Sequence, residues 1–470
     1  MAHEIIQITV TKEESEKLML LKEAAADPRN ATSTKPLIQK VAHTLRARYD
    51  DEERKRYFEP ISVTIGPLHH ERDTKPDSPF KRGEKFKLQL AGTFINNQNG
   101  RTVEDFYDNV KKEINTLRKC YDPTQVEKWD DDELAWMFLV DGCALLHFIF
   151  LDVKDEWEEL GGKNDLVAFA KLDLFLLENQ LPYKLLEILI GMFPDEEGRQ
   201  YCQKELRGSI TNFIGKSLLS PVEEQKQEEE KGPAHLLALL RKRLIGVKPK
   251  EKGKNQKPKS SKLRSSSDES WPTFRNVREL KEKGILFKAK ERSSGVITDI
   301  EFNDGSCMPT LTLARIMVDD ATMPKLLNLI AYEMCPDFEN EYEITSYVSF
   351  LDSLIDSAED VKELRDARVL HNGLGSDEAV ATLFNKISDN LVPNFQLHQD
   401  LKNRIQKHVM RNRLWATDVA LFYHTHFRSP WSTLVFLGAI AGLVMTVVQT
   451  YNSFNDDKPP SNNYYYYYYP

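Results

Sequence analysis

The stretch LLENQLPYKLL, from Leu176 to Leu186, decides how the central part of this chain folds. It places Glu-Asn-Gln inside a strongly apolar run, with LDLFLL around its start and LEILI at its end. Three adjacent polar residues cost free energy if they are buried without partners. Pro182 lacks an N–H and suits only the first turn of a helix. The stretch therefore predicts a joint between one helix over about 165–177 and a second that starts near Pro182.

Glu178, Asn179 and Gln180, with Pro182, are the candidate residues of this structural joint. Free carbonyls of one helix meet free N–H groups of the next helix there, and Asn and Gln side chains can bond both. We expect Glu178 to lie at the positive N-terminal end of the second helix. An active site is the alternative, although a single carboxylate has no acid/base partner nearby in the sequence.

The overall composition favours a folded chain in a reducing compartment. The 470 residues are 40% hydrophobic and 29% charged, so a packed core is expected. A net charge of −9 argues against general nucleic-acid binding, which needs a basic face. The cysteines are odd in number and widely spaced, which disfavours a disulfide scaffold and a zinc site. They are Cys120, Cys143, Cys202, Cys307 and Cys335.

Apolar periodicity predicts a mainly α fold with a small β-hairpin or sheet element, in the α+β class. Apolar residues recur three or four apart from Gly83 to about Leu151. The run LAWMFLVDGCALLHFIF is too apolar for a surface and predicts a central helix. The stretch ISVTIGPLHH, Ile61 to His70, alternates and is expected to be extended. Asn303-Asp304-Gly305 lies between two β-like runs and predicts a hairpin.

Composition also divides the chain into segments. Residues 1–36 are expected to form a helical or flexible N-terminal segment, and 37–427 the main domain. A basic, Ser- and Pro-rich insertion at about 247–271 is expected to be disordered. Residues 452–470 form a low-complexity tail that ends in a tyrosine run. The N-terminus has no basic start or long apolar stretch, so we expect no secretory signal peptide.

The segment from Trp431 to Tyr451 is uncharged and predicts a single C-terminal transmembrane helix; a buried core helix is the alternative. Basic residues dominate before it, at Arg404, Lys407, Arg411, Arg413 and Arg428, whereas Asp456, Asp457 and Lys458 follow it. This asymmetry predicts a cytosolic N-terminal domain, on a single-pass protein of the plasma membrane. Asn30-Ala31-Thr32 is a glycosylation sequon, and a glycan there would reverse the orientation.

Gly438 and Gly442 form a GxxxG pattern inside the predicted span. Glycines at this spacing leave a groove on one helix face, where two backbones can pack closely in lipid. The pattern favours homo- or hetero-association through the transmembrane helix. The alternative is that small residues are simply common in such helices.

Other short patterns do not support a catalytic, cofactor or metal site. The GLG at Gly373 precedes two acidic residues, which suit a helix N-terminus better than a phosphate. His69-His70 and the pair at His424 and His426 lack nearby Cys or carboxylates at metal-site spacing. No GxSxG, HExxH or EF-hand pattern occurs. We therefore expect no enzyme activity and no cofactor.

Several motifs together resemble the plant domain-of-unknown-function 247 family. They are ISVTIGPLHH, FLVDG at Phe138, LFLLENQLPYKLL, NLIAYE at Asn328, TSYVSFLDSLI at Thr345, NGLGSDEAVATLFN and the C-terminal PW before an apolar span. The resemblance covers most of the chain and implies a mostly helical plant protein anchored by one C-terminal helix. Some grass members of that family are associated with pollen–pistil self-incompatibility, which implies recognition.

Two functional hypotheses remain open at the level of sequence. The first is a membrane-anchored, non-enzymatic recognition or signalling protein that acts through contacts with a protein partner not identified by sequence. The second is a membrane-tethered enzyme with a site near Asp141, Glu178 and His69. The two differ in whether these three side chains meet around a pocket.

Overall fold

The structure is a computed structural model of the 470-residue chain. It describes residues 19, 37–70, 80–97, 100–157, 164–195, 201–220, 232–246, 276–291, 295–305, 309–338, 341–394, 396–411, 430–456 and 467–470. The predicted flexible segment 1–36, apart from Met19, and the predicted insertion at 247–271 lie outside these residues. So do Cys307 and the histidine pair at 424 and 426. The chain divides into two compact units, Met1–Lys402 and Asn403–Pro470.

The first unit is mostly helical, as the apolar periodicity predicts. Its N-terminal part contains α1 (His43–Arg46), α2 (Asp51–Phe58), α3 (Lys81–Asn96), α4 (Val103–Lys112), α5 (Ile114–Arg118), α6 (Pro123–Val126) and α7 (Asp131–Lys154). Sequence-coded caps begin several of these helices. The Asp130 carboxylate, for example, accepts N–H bonds at the start of α7, and Glu133 completes a capping box.

The helix α7 is the centre of this unit and matches the predicted central helix. Nearly all of its side chains from Leu134 to Asp152 are buried, and it packs against α3, α4, α9 and α10. Among the described residues, α7 is the one helix long and apolar enough to cross a membrane. Its burial inside the protein identifies it as a core helix instead.

The remaining helices continue the chain. They are α8 (Asn164–Asp173), α9 (Tyr183–Ile190), α10 (Gln203–Lys216), α11 (Leu236–Ile245), α12 (Val277–Glu282), α13 (Thr322–Glu333), α14 (Glu343–Leu354), α15 (Ala358–Asp366) and α16 (Asp377–Ser388). Among them, α13 packs against α2, α11, α14 and α16. A further helix spans residues 399–411. Ser376 caps α16 by accepting a bond from the Ala379 N–H at 3.1 Å.

The β structure consists of two small sheets of short strands. The strands are β1 (Leu286–Ala289), β2 (Glu301–Asn303), β3 (Thr310–Leu313), β4 (Ile316–Val318) and β5 (Leu370–Asn372). The first sheet has the order β1-β3-β2, with β2 antiparallel and β1 parallel to β3. The second pairs β4 with β5 in parallel. These sheets confirm an α+β class.

The connection between β2 and β3 is longer than the predicted two-residue turn. Asn303 lies opposite Thr310 in the ladder, so residues 304–309 connect the strands. The Asn303 side chain accepts the Gly305 N–H at 3.1 Å, a local turn that ends β2. The parallel partner β1 and the second sheet were not predicted from the sequence.

The second unit contains the predicted C-terminal helix, α17 (Pro430–Asp456), which is 27 residues long. Its side chains from Leu437 to Tyr451 are exposed. This stretch counts as a shorter apolar helix than α7 among the described residues. The helix itself is observed, and its insertion into a membrane stays a prediction.

Candidate functional site

The segment Ile61–Gly66, here called the extended segment, crosses the core without joining a sheet. Its backbone N–H groups need partners, because a buried amide left unbonded costs free energy. Gly83 of α3 lies so close that a Cβ there would be 2.2 Å from the Ser62 carbonyl oxygen. The partners of this segment come from side chains of α7 and of residues 173–182, here called the joint.

Asp173, the last residue of α8, binds the start of the extended segment. Its carboxylate accepts backbone N–H bonds of 2.8, 2.7 and 2.9 Å from Ile61, Ser62 and Val63. Only 1% of Asp173 is exposed. One carboxylate therefore satisfies three consecutive amides that would otherwise pair with a neighbouring strand.

Asn179 binds both the extended segment and the end of α8. Its Oδ1 accepts the Ile65 N–H at 2.7 Å. Its Nδ2 donates to the Val63 carbonyl at 3.0 Å and to the Asp173 carbonyl at 2.9 Å. The Asn179 side chain thus bonds the extended segment as a neighbouring β-strand would, with one acceptor and one donor. The two segments are more than a hundred residues apart in sequence.

Gln180 stabilises the turn itself and connects it to α11. Its Nε2 donates to the carbonyls of Leu174, Leu176 and Asn179 at 2.8, 2.8 and 3.0 Å. Its Oε1 accepts the Leu237 N–H at 3.1 Å, in the first turn of α11. These contacts close the chain between α8 and α9, where Pro182 precedes the first residue of α9.

Glu178 does not lie at the N-terminus of α9, so that prediction is wrong. Its Oε1 accepts the Val41 N–H at 2.8 Å, and the Arg46 guanidinium lies 3.2 Å away. His69 Nε2 is 3.3 Å from Glu178 Oε2, off the direction that a hydrogen bond requires. The turn held by Gln180 points Glu178 away from α9 and toward the segment before α1.

Asp141 of α7 completes the attachment of the extended segment. Its Oδ2 accepts the Gly66 N–H at 2.8 Å, and its Oδ1 accepts from Lys87 Nζ at 2.8 Å. Lys87 also donates to the Thr64 carbonyl at 2.6 Å and pairs with Glu84. This buried ion pair is therefore bonded to both ends of one short stretch of backbone.

Gly66 ends the extended segment with a left-handed backbone, at φ +73°. A Cβ at this position would be 2.9 Å from the Gln180 carbonyl oxygen and 3.1 Å from the Tyr121 hydroxyl. The Tyr121 hydroxyl donates to that same carbonyl at 2.9 Å. The position needs glycine both for its backbone conformation and for space.

The pKa values of the acidic groups in this site are shifted in different directions. Burial raises the pKa of Asp173 to about 6, although three N–H bonds act the other way. Burial also raises the pKa of Asp141, against the charge of Lys87. Burial opposes ionisation of Glu178 too, but the His69 ring and the Arg46 charge hold its pKa below the ordinary value.

The structure brings the three candidate groups of the enzyme hypothesis only partly together. Glu178 and His69 meet, and Asp141 binds the backbone three residues before His69. All three are at most 7% exposed. None lines the 510 Å³ cleft found beside the ends of α7 and α8. The described residues include no group of three His, Cys, Asp or Glu side chains that could hold a metal ion.

Two further buried polar residues that the sequence analysis missed extend this network. Asn328 of α13 donates to the Tyr57 carbonyl at 2.7 Å and accepts the Leu177 N–H at 2.9 Å. Glu333 accepts from Arg241 at 2.8 Å and from the N–H groups of Ile344 and Thr345, both at 2.9 Å. The signal that could have found them resembles the one at Glu178, namely a polar residue inside an apolar run.

The two glycines of the predicted association, Gly438 and Gly442, lie in α17. Among the described residues, no atom outside the backbone of α17 lies within 4 Å of a Cβ built at either position. The Thr446 hydroxyl donates to the Gly442 carbonyl at 2.8 Å. That bond keeps a polar side chain of the helix satisfied without water.

Fold and site together define a mostly helical α+β protein in which a buried polar joint holds distant segments. The chain belongs to the plant domain-of-unknown-function 247 family, whose model, described as a plant protein of unknown function, matches residues 38–445.

Two curated relatives from Arabidopsis thaliana are similar over nearly the whole chain. The UPF0481 protein At3g47200 is 25% identical over 419 residues, covering 84% of this chain and 82% of the relative. A second UPF0481 protein, At3g02645, is 21% identical over 477 residues, covering 84% and 87%. No solved structure matches this chain.

Proposed function

We propose that this protein is a membrane-anchored, non-enzymatic recognition or signalling protein of plants that acts through protein–protein contacts. The observation that carries the anchor is the uncharged stretch from Trp431 to Tyr451, which has the length that a span needs and lies within the helix α17. Its exposed side chains include Leu437, Ile440, Leu443 and Val444. Exposed apolar groups on a long helix favour lipid as their surroundings.

The non-enzymatic part of the proposal rests on how the acidic residues are used. The carboxylates of Asp173 and Asp141 accept hydrogen bonds from backbone N–H groups, and Asp141 also accepts one from a buried lysine. The Glu178 carboxylate accepts the Val41 N–H and pairs with Arg46. A general acid or base needs reach to a substrate. A recognition role requires only a rigid scaffold with exposed loops.

The anchor is tested by fractionating plant cells that express the full chain. We expect the protein to stay with membranes after an alkaline carbonate wash. The double variant Leu443→Lys with Val447→Lys should be released, because charges at the centre of a span are costly. The matched exchange to Ile at both positions should change nothing. Release of the unaltered chain would overturn the anchor.

The orientation follows from the basic residues before the span, and places the N-terminal domain in the cytosol at the plasma membrane. Protease added to sealed plasma-membrane vesicles, cytosolic side inward, should leave the N-terminal domain intact. A glycan on Asn30, which lies outside the described residues, would show the opposite orientation. A role in pollen–pistil self-incompatibility or a related response is part of the same proposal, and affinity capture from plant membranes would identify the partner.

Association through α17 is the finer part of the proposal. The open space at Gly438 and Gly442 leaves room for a second helix on that face. Replacing both glycines with Ile fills the groove while the span stays apolar. We expect membrane crosslinking of the full chain to fall in this variant, whereas Leu437→Ile should leave it unchanged. Equal crosslinking in both variants would contradict the association.

A further inference from the structure

A cleft of 510 Å³ lies where the ends of α7 and α8 meet α10 and the start of α13. Its volume is within the range of about 300–1,000 Å³ that small-molecule sites occupy. Of the residues in the joint, only Phe175 lines the cleft, and none of the polar side chains described above does. The cleft is therefore a separate feature of the fold.

The wall of the cleft is apolar and aromatic. Phe175 and Phe213 stack with ring centres 5.9 Å apart and planes at 13°. Trp157, Val167 and Leu172 add to the same wall. Phe175 and Phe213 are each only 1% exposed, so the partly exposed side chains of Trp157 and Leu172 present the apolar surface to a guest.

The charged residues of the cleft leave one net positive charge. Its lining includes three lysines and two aspartates: Lys171, Lys216, Lys325, Asp152 and Asp155. Lys171 pairs with Asp152, and Lys216 donates to the Asp152 carbonyl at 2.9 Å, at the C-terminal end of α7. These two lysines are thus used within the protein.

Lys325 is placed differently. Its ammonium donates to the Ser217 carbonyl at 3.2 Å and lies 5.6 Å from the ring centre of Phe175. No carboxylate of the described residues is within ion-pair distance, and Asp319 acts on it only from farther away. Burial lowers the pKa of Lys325, which accords with an ammonium that has no paired carboxylate among the described residues. An anion entering the cleft would supply the missing counter-charge.

We propose that the cleft binds a small monocarboxylate with an apolar body, with the carboxylate on Lys325 and the apolar body against Trp157 and Leu172. A single carboxylate matches the single net charge, and an apolar body matches this part of the lining. This ligand site is independent of the membrane anchor and of the association through α17.

The test uses the full chain in detergent and naphthoate as the probe, followed by isothermal titration calorimetry. We expect saturable binding to the unaltered protein. Lys325→Met should weaken it by about tenfold or more, because a hydrogen bond between charged groups is lost while the apolar stem is kept. Naphthamide, neutral and of the same shape, should also bind about tenfold more weakly than naphthoate.

Two control variants locate the probe. Lys154→Met removes a nearby lysine that pairs with Glu205 and does not line the cleft, so affinity should not change. Ala168→Trp fills the cleft from an exposed position that tolerates a large side chain, so binding should disappear. Ala168→Trp still tests whether the probe binds in the cleft if Lys325→Met fails to fold.

Three results would overturn the proposal. They are no saturable binding of naphthoate, equal affinity of the Lys325→Met and unaltered proteins, and binding that persists in Ala168→Trp. Equal affinity for naphthamide would show an apolar cleft with no anion site and would overturn it as well.

Discussion

The joint and the cleft share Phe175, but they differ in how fully their polar groups are paired. In the joint, the side-chain amides of Asn179 and Gln180 are bonded to backbone at both their oxygen and their nitrogen. In the cleft, the ammonium of Lys325 has a carbonyl and a ring, but no carboxylate of the described residues lies within ion-pair distance. Satisfied buried groups hold the fold together, whereas a charge left without a counter-ion beside a cavity indicates a ligand.

The difference predicts the sign of each substitution: removing a polar group should destabilise the protein at the joint and stabilise it in the cleft. The largest effect is expected at Asn179. Asn179→Ala leaves the Ile65 N–H and the carbonyls of Val63 and Asp173 buried without this partner. We expect the free energy of unfolding to fall by about 4 kcal/mol, measured by urea denaturation.

Asn385→Ala is the matched control for that change. Asn385 is exposed on α16 and makes one bond, from Nδ2 to the Asp356 carbonyl at 3.2 Å. Its loss should cost about 0.5 kcal/mol or less. If the two variants unfolded at the same urea concentration, the joint would not be the main stabilising contact of the extended segment.

The second effect is a pH dependence from Asp173. Its pKa is about 6 in the folded state, raised by burial, against about 3.9 in an unfolded chain. The folded state therefore binds this proton more tightly. Its stabilising contribution is present below about pH 4 and is lost as the pH rises through about 6.

The variant Asp173→Asn isolates this contribution. The difference in unfolding free energy between unaltered protein and variant should fall by about 2 kcal/mol from about pH 4 to about pH 6. Asp141, whose pKa burial also raises, is present in both proteins and cancels. Parallel stability profiles over this range would show that Asp173 does not titrate there.

Gly66 gives the third effect, and Gly92 provides its control with the opposite sign. Gly66→Ala should destabilise by about 2 kcal/mol, because of its positive φ and its contacts with Gln180 and Tyr121. Gly92 lies exposed inside α3, with no atom within 4 Å of an added Cβ. Gly92→Ala should stabilise by about 0.5–1 kcal/mol in thermal melting. Equal melting shifts would contradict the close approach at Gly66.

The sequence contains enough information to place the joint but not its partners. Pro182 and the polar triplet indicate a break between two helices, since both effects are local. The break begins at Asp173, four residues before the predicted helix end, because Asn179 and Gln180 bond the carbonyls of a non-helical turn. The contacts to Val41, Ile65 and Leu237 span 57 to 137 residues, and no local pattern predicts such pairings.

The sheets and the cleft were harder to predict from the sequence, because they also depend on contacts between distant residues. The strand β1 is four residues long and its sequence, LFKA, does not alternate between apolar and polar residues, although its burial does. It pairs in parallel with β3, so no hairpin turn indicates it either. The cleft lysines come from three different helices and sit in ordinary amphipathic sequence. Only the fold brings them together, and only there does the lack of a counter-ion at Lys325 become apparent.

The smallest effect distinguishes the cleft from the joint most directly. Lys325→Met removes a buried charge whose pKa is lowered by burial, and keeps the apolar stem against Phe175. We expect the unliganded protein to gain about 1 kcal/mol in unfolding free energy, as is common when a functional group is replaced by a packing group. Lys154→Met, at an exposed pair with Glu205, should change stability by about 0.5 kcal/mol or less.

The gain should depend on pH in a defined direction. The folded state disfavours the Lys325 ammonium, so the penalty is present at neutral pH and fades as alkaline pH neutralises the amine in both states. The stabilisation by Lys325→Met should therefore be larger at pH 7 than under alkaline conditions in thermal melting. A variant less stable than the unaltered protein at pH 7 would mean that Lys325 is a structural cation like Lys87. Removing a polar group would then destabilise the cleft as it does the joint.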